Sequence, residues 1–444
     1  MPSPPPPALQ RVLRPVHLWA IAVGLVISGE YFGWNYGWAV SGTVGFLLAT
    51  LLVTVMYLTF IFSFTELTTA IPHAGGPFAY AYRAFGPLGG LVSGYATLVD
   101  FLLAPPAIAF ALGSYAHFLN PNFSVLPTAI TCYAVFIGIN LVGIKESARF
   151  TLVVTTLAVA ELLVFMGLIA PHFTLKNFLT NPLPFGPAGV FAALPFAVWF
   201  YLAIEGVAMV AEEVEDPRRN IPKGYAYGIL TLVVLALGVM VLTGGITDWR
   251  RLSTIDYPLP EALAIVLGKD SGWTRLFTSI GLFGLVASFH GNTIGYSRQV
   301  FALARSGYLP GFLSRVNRRR TPHWALIAGG LVGFVALLTG RTDQVIILSV
   351  LGAVTMYVIS MGSLFVLRKK EPNLARPFRA PFYPYFPLVA LGLSGVCLGA
   401  IVYYNPGLSL LFFGGLFTWL GGFVALGKHK ERINGEALLE RVEQ

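Results

Sequence analysis

Five carboxylates lie in stretches of this sequence that are otherwise apolar: Glu30, Glu66, Asp100, Glu161 and Glu205. A carboxylate at the middle of a bilayer costs about 2.5 to 3.5 kcal/mol on insertion scales, so each calls for a cation or for a partner that neutralises it. Along the chain partners are few. Apart from those within two residues of a stretch's end, Arg275, His290 and Arg298 are the basic groups inside the apolar stretches, and the two arginines stand near opposite ends of theirs. At about 1.5 Å per helical residue, Glu30 lies roughly 20 Å into its stretch and Asp100 roughly 18 Å, both near a bilayer centre. Glu205 falls where a helix is interrupted, so the carbonyls of a half-helix C-terminus add partial negative charge to its own. The chemistry this suggests is capture of a cation, with Glu30 and Glu205 as the principal carboxylates. The alternative is that the acids are protonated or paired within a helix bundle. For Asp100 a further alternative is that it satisfies backbone freed by Pro105 and Pro106 on the same helix. Glu161 stays open between these readings, and Glu66, followed by a Pro-Gly-rich turn, reads as a structural group on an inner gate.

Aromatic residues crowd the same places: Tyr31, Trp34, Trp199, Phe200 and Tyr201. Such residues are usually packing or interface belt. Trp199, six residues before Glu205, is the one whose face could hold an ammonium or an alkyl chain, worth about 0.5 to 2 kcal/mol. No Gly-rich phosphate loop, Ser-His-Asp arrangement or His/Cys metal spacing accompanies them, so an enzyme, an ATP-driven pump, a cofactor and a metal are not expected. Cys132 and Cys397 sit in apolar runs as small core residues.

The elements that must position these groups follow from composition. Of 444 residues 56% are hydrophobic and 11% charged, against roughly 25% charged in soluble domains. Soluble enzymes and nucleic-acid binders are excluded. Apolar stretches cut by charge clusters and Pro/Gly turns give twelve spans, at 17–41, 43–70, 88–118, 125–144, 148–170, 187–211, 224–246, 272–303, 323–340, 343–367, 384–404 and 407–426. The first is too long for a signal-peptide core and has no cleavage site. A tail at 1–16, with a disordered proline run at 2–7, precedes it, and a second tail covers 427–444. With both tails cytoplasmic, the 29 Lys and Arg divide 23 inside to 6 outside, which is the positive-inside bias and accounts for the net charge of +9.

Spans 1 and 6 are each interrupted near the middle, at Ser28-Gly29-Glu30-Tyr31-Phe32-Gly33 and over 199–206. Five spans separate their starts, and an odd offset reverses direction through the bilayer. Two corresponding broken helices in inverted five-helix repeats, here 17–170 and 187–367, point to a secondary transporter with its site at the midplane. The spans in 384–426 lie outside the repeat.

Four stretches then carry a resemblance over nearly the whole chain. They are Phe64-Thr65-Glu66-Leu67 leading into 71–80, the run Glu212-Glu213-Val214-Glu215-Asp216-Pro217 and on to Pro222, Ser297-Arg298-Gln299 with 302–310, and Arg376-Pro377-Phe378-Arg379-Ala380-Pro381. The sequence resembles the amino acid–polyamine–organocation superfamily, which implies an all-α integral membrane protein of twelve helices. That fold has a 5+5 inverted repeat with helices 1 and 6 broken, and two further C-terminal helices. Within the superfamily, 27–35 and Ala287-Ser288-Phe289-His290-Gly291 look most like bacterial ethanolamine permeases. Amino acid members usually carry Gly-Ser-Gly in the first break, whose amides hold the substrate carboxylate. Glu30 stands at the third small position here and would repel a carboxylate, which argues for an amine lacking one.

The resemblance implies a pocket of Ser28, Gly29, Glu30, Tyr31, Asp100, Trp199, Leu202 and Glu205, with Glu161, Glu66 and His290 as coupling or gating groups. The lysine that some proton-coupled members place in helix 5 is Ala158 here, by spacing from Glu146-Ser147-Ala148-Arg149, and Glu161 is the acid that could replace it. The expected function is alternating-access import of protonated ethanolamine across a bacterial cytoplasmic membrane by a monomeric or weakly associated permease. Proton linkage would follow because several carboxylates around one pocket cannot all stay ionised. A diamine or cationic amino acid transporter and a non-transporting amine sensor are the rivals, and neither nucleic acid nor cofactor is expected.

Overall fold

In lipid every backbone N–H and C=O must find its partner within the protein, and a helix does this locally. The computed structural model describes residues 11–142, 148–317 and 321–425. The proline run at 2–7, Glu146 and Ser147 of the resemblance and the tail at 427–444 lie outside the described residues. Seventeen α-helices, numbered in chain order, and a few 3₁₀ turns make up the described chain, with no strand among the described residues beyond an isolated bridge between Leu13 and Val214. Nine of the helical stretches are long and apolar enough to cross a membrane. Three other expected spans look different: α1 (Pro15–Val26) and α14 (His323–Leu338) are shorter, and α13 (Gly272–Arg305) is long but more polar.

Burial separates a core from a periphery. The most apolar window of α5 (Pro87–Leu119) is 89% buried and that of Leu194–Glu213 is 94% buried, whereas α6 (Val125–Val142) and α17 (Pro406–Ala425) bury 17% and 22% and present their flanks to lipid. The core helix α5 packs on α13 and on α15 (Thr342–Lys370), and α1 packs on α11 (Pro217–Gly244).

The first break lies later than its glycine and acid predict. Ser28–Tyr31 forms one further turn, α2, and the chain opens over 32–35, with Phe32 extended and Gly33 at φ +90°, a value that favours glycine. The reason is side-chain competition: the Gly33 N–H donates to Asn35 Oδ1 at 3.0 Å, and the Trp199 indole donates to the Phe32 carbonyl at 3.0 Å. Beyond the break α3 (Tyr36–Ala70) is two helical stretches that meet at Gly42, whose φ of +70° is not helical, so the chain turns where the first span was expected to give way to the second. The second break follows α10 (Leu194–Trp199), where Ala203 takes φ +75° before a 3₁₀ segment, Ile204–Glu213. The tandem Pro105 and Pro106 leave α5 continuous.

Polar contacts gather at the two ends of the bundle. At one end Glu66 holds Arg368 (2.5 Å) and Arg376 (3.2 Å), and Arg83 forks onto Glu371 at 2.6 Å. At this end too the Leu13 N–H and the Glu215 N–H exchange bonds with Glu213 and Leu13 carbonyls, and Glu212 accepts from the Ala74 N–H. At the other end the Asn35 amide donates to the Leu252 and Ile255 carbonyls, and Tyr36 and Thr342 donate to the Asp256 carboxylate.

Candidate functional site

The two breaks touch at Gly29. A Cβ on this residue would stand 2.4 Å from the Trp199 carbonyl oxygen, a backbone atom that cannot move aside, so only glycine lets the segments meet. Most of the carbonyls that the first break frees are taken by side chains. Leu25 accepts from Ser288 (2.8 Å) and Asn292 (3.0 Å), Glu30 from the Trp34 indole (3.1 Å), Tyr31 from Tyr115 (3.2 Å) and Phe32 from Trp199. Ser28 adds a hydroxyl contact of 2.8 Å to Ser288.

The exception to this accounting is a side chain. Glu30 is fully buried and neither of its carboxylate oxygens receives a hydrogen bond. Buried polar atoms are nearly always partnered, so two orphaned acceptors on one carboxyl mark a group held ready for something else. Its neighbour Tyr31 donates instead to Glu161, at 2.7 Å, and more weakly to the Ala158 carbonyl, at 3.4 Å. Glu161 is thereby joined to the first break, and its other oxygen is unpartnered.

Asp100 and Glu205 come together. Both are fully buried and lie close enough to interact electrostatically. Tyr357 of α15 donates to Glu205 at 3.1 Å and is itself joined to Tyr57 of α3 at 2.8 Å, while Ser349 reaches the Asp100 carbonyl at 2.7 Å and its carboxylate at 3.4 Å. Trp199 lies edge-on to Phe32, and its N–H bridges the two breaks; it also lines, with Ser28, Gly29, Ala104, Leu202 and Asn292, a free space of only about 10 Å³. That is about one water-sized sphere, so the breaks are closed on each other.

Two of the named residues stand apart. Glu66 lies at the bundle end, ion-paired with Arg368 and Arg376 and accepting the Ala380 N–H at 2.7 Å. Its bases come from the end of α15 and the following loop, outside the spans from which partners were sought. His290 is half-buried on α13, and at about 100° per residue it faces away from Ser288 and Asn292.

The residues that sequence reasoning missed are Tyr57, Asn292, Ser349 and Tyr357. Their signal was present as hydroxyls and an amide inside apolar spans, where an unsatisfied polar group is costly. Outside the spans, burial pushes the Asp256 carboxyl up to about 6, partly offset by the donors Tyr36 and Thr342, and burial beside Arg305 lowers the His73 imidazole to about 4.

Residues 13–419 match the family model described as amino acid permease. The chain is 30% identical over 407 residues to an uncharacterized transporter of Rhizobium meliloti (strain 1021), covering 89% of this chain and 87% of that protein. It is 28% identical over 436 residues to the methylthioribose transporter of Bacillus subtilis (strain 168), covering 91% of each. It is 24% identical over 409 residues to a branched-chain amino acid permease of the same organism, covering 86% of each. A family match over almost the whole chain and transporter relatives aligned nearly end to end lead to one conclusion: the chain belongs to the amino acid permease family, within the amino acid–polyamine–organocation superfamily, and is a multi-pass membrane transporter of a small molecule.

Proposed function

We propose that this transporter imports a small protonated amine, with ethanolamine as the best-fitting substrate, across a bacterial cytoplasmic membrane with both termini inside. The observation that carries this reading is Glu30: a fully buried carboxyl at the contact of two broken segments, with no donor on either oxygen. An ammonium supplies the missing donors and charge, whereas a zwitterion would bring its own carboxylate against Glu30. The named relatives carry substrates as different as methylthioribose and branched-chain amino acids, so family membership leaves the choice to the residues of the break.

In this reading α1, α13 and α14 complete twelve spans, and 17–170 and 187–367 form two inverted repeats. The substrate enters when the helices around the breaks rock apart, because about 10 Å³ is too little for an amine. Trp199, Leu202 and Ser28 then wall the enlarged site. A second reading, a diamine or cationic amino acid, is favoured by the second acidic centre at Asp100 and Glu205.

Uptake of labelled ethanolamine into proteoliposomes, competed by choline, putrescine, arginine and alanine, decides between them. Ethanolamine is expected to outcompete alanine at least tenfold, about 1.4 kcal/mol in binding, and Glu30→Gln to lose amine binding by titration calorimetry. Strong inhibition by alanine overturns the amine reading. Stronger competition by putrescine or arginine than by ethanolamine establishes the second.

A further inference from the structure

We propose that the end of the seam between α1 and α11 where both helices begin is a binding site for a phospholipid with a net negative headgroup. A groove of about 530 Å³, lined by Arg14, Pro15, Val16, Trp19 and Tyr227, opens beside that seam. Its size falls within the range of about 300 to 1,000 Å³ usual for small-molecule sites. It shares no residue with the space between the breaks.

The groove exists because two glycines draw the helices together along one line while large residues stand beside it. A Cβ on Gly224 would stand 2.4 Å from the Leu18 Cβ, and one on Gly228 2.8 Å from the Ala22 Cβ, so α11 lies directly against α1 there. Trp19 reaches across the seam, its indole donating to Thr231 Oγ1 at 3.0 Å, and bounds the groove on the side toward the middle of the bilayer. Val16 and Tyr227 flank the opening and are exposed.

The face of α11 that borders the groove changes from cationic to apolar along its length. At about 100° per residue Arg219, Lys223, Tyr227, Leu230 and Val234 fall within one quadrant. Arg219 is exposed and Lys223 half-buried, and neither side chain has a hydrogen bond or ion pair among the described residues. Leu230 and Val234 are exposed and carry the stripe past Trp19 into the bilayer. From the α1 side Arg14 commits only Nε of its guanidinium, to Glu215 at 3.3 Å. Around the mouth Arg11, Arg14, Arg218, Arg219 and Lys223 outnumber Glu215 and Asp216, while Glu212 and Glu213 are turned to the Ala74 N–H and to Arg298.

Cations, then an indole and a phenol, then an apolar flank match the phosphate, glycerol and acyl chains of a phospholipid in order. Guanidinium and ammonium groups hold phosphate oxygens, and basic pockets between helices at the cytoplasmic side take anionic headgroups. The same cations repel a protonated amine, so this is no second substrate site. A lipid seated here spans the seam and helps to hold α1, which leads into the first break, against α11. The choice of the inner leaflet follows from the orientation proposed above, whereas the site itself does not depend on it.

The test uses the purified, delipidated full-length protein in a non-ionic detergent, titrated with phosphatidylglycerol or with phosphatidylcholine of the same chains and read by native mass spectrometry. The first phosphatidylglycerol is expected to bind at least tenfold more tightly than the first phosphatidylcholine. Lys223→Gln, which breaks no contact within the described protein, and Arg14→Gln are each expected to reduce that preference at least threefold. Lys176→Gln, an exposed charge beside the far end of α11, is expected to leave it unchanged. Val16→Trp, which fills the groove, is expected to weaken phosphatidylglycerol binding at least tenfold while the unfolding midpoint in lipid-free detergent is kept.

Equal affinity for the two lipids, or an unchanged preference in Lys223→Gln and Arg14→Gln, overturns the site. Full competition by glycerol 3-phosphate, which carries the charge without the chains, overturns the part given to the groove. A variant lacking residues 2–10 that binds phosphatidylglycerol at least tenfold more tightly than the full chain assigns the groove to the chain's own tail and overturns lipid as its occupant.

Discussion

At the scale of single residues, the first break is governed by where each carbonyl finds a donor. Trp199, whose face is the one expected to hold a cation, spends its N–H on the Phe32 carbonyl. Trp199→Phe keeps a ring but strands that buried carbonyl, a loss of about 1 to 3 kcal/mol. Trp199→Ala loses the ring as well, at about 3 to 5 kcal/mol. Both variants are therefore expected to unfold at lower temperature than the unmutated protein in detergent, with Trp199→Ala the lower. An unchanged midpoint for Trp199→Phe would show that the indole N–H does not brace the breaks and that the ring face alone matters.

At the scale of elements, the two bundle ends hold their helices by different electrostatics. Glu66 joins the end of α3 to the end of α15 and to the loop after it, with its own side chain 2% exposed and those of Arg368 and Arg376 21% and 9% exposed. Removing one member of such a buried cluster costs about 3 to 5 kcal/mol, because the other charges stay behind. Glu66→Gln is expected to lower the unfolding midpoint much more than Arg83→Gln, whose pair with Glu371 is more open to solvent. Equal effects would mean that the Glu66 cluster is solvated and weak.

At the opposite end the loop over 252–257 docks on Asn35 through the Leu252 and Ile255 carbonyls and on Tyr36 and Thr342 through Asp256, whose carboxyl is raised to about 6 by burial. Tyr36, Tyr257 and Asp343 are the titratable groups that interact with it. An undocked loop would return Asp256 to about 3.9. The docked form thus binds the proton more tightly. Docking is strongest below about pH 4 and loses about 3 kcal/mol as pH rises through about 6. Hydrogen exchange of this segment is expected to be slower at pH 5 than at pH 8, after correction for intrinsic rates, and the difference to vanish in Asp256→Asn. Equal protection at both pH values in the unmutated protein would remove the latch.

At the scale of the whole molecule, the placement of charge sets orientation. The Lys and Arg that count as inside, among them Arg14, Arg83, Arg298, Arg368 and Arg376, make their contacts at the Glu66 end of the bundle. Arg251 and Arg275 pair at the Asp256 end. In a background lacking Cys132 and Cys397, Asp270→Cys is expected to react with a membrane-impermeant maleimide on intact cells, and Val316→Cys only after permeabilisation. The reverse pattern would invert the topology.

Much of this protein is written locally. Apolar run length, the charges that end each run and the turn residues between them determine a bundle of membrane helices, because in lipid each segment must satisfy its own backbone. The interruptions near Glu30 and Glu205 were legible for the same reason, since glycine and acids weaken a helix wherever they stand. The position of the first break was not. It moved to 32–35 because Asn35 and Trp199 capture groups there, and Trp199 is 167 residues from the carbonyl it holds. Nor did spacing show that Asp100 comes near Glu205 while Glu30 meets no donor. Those outcomes depend on the turn at Ala203 and on the close approach of Gly352 to α5. Helix formation is a property of neighbouring residues, whereas the partner of a buried carboxyl is set by how separate helices rotate and pack, and only the tertiary structure decides that.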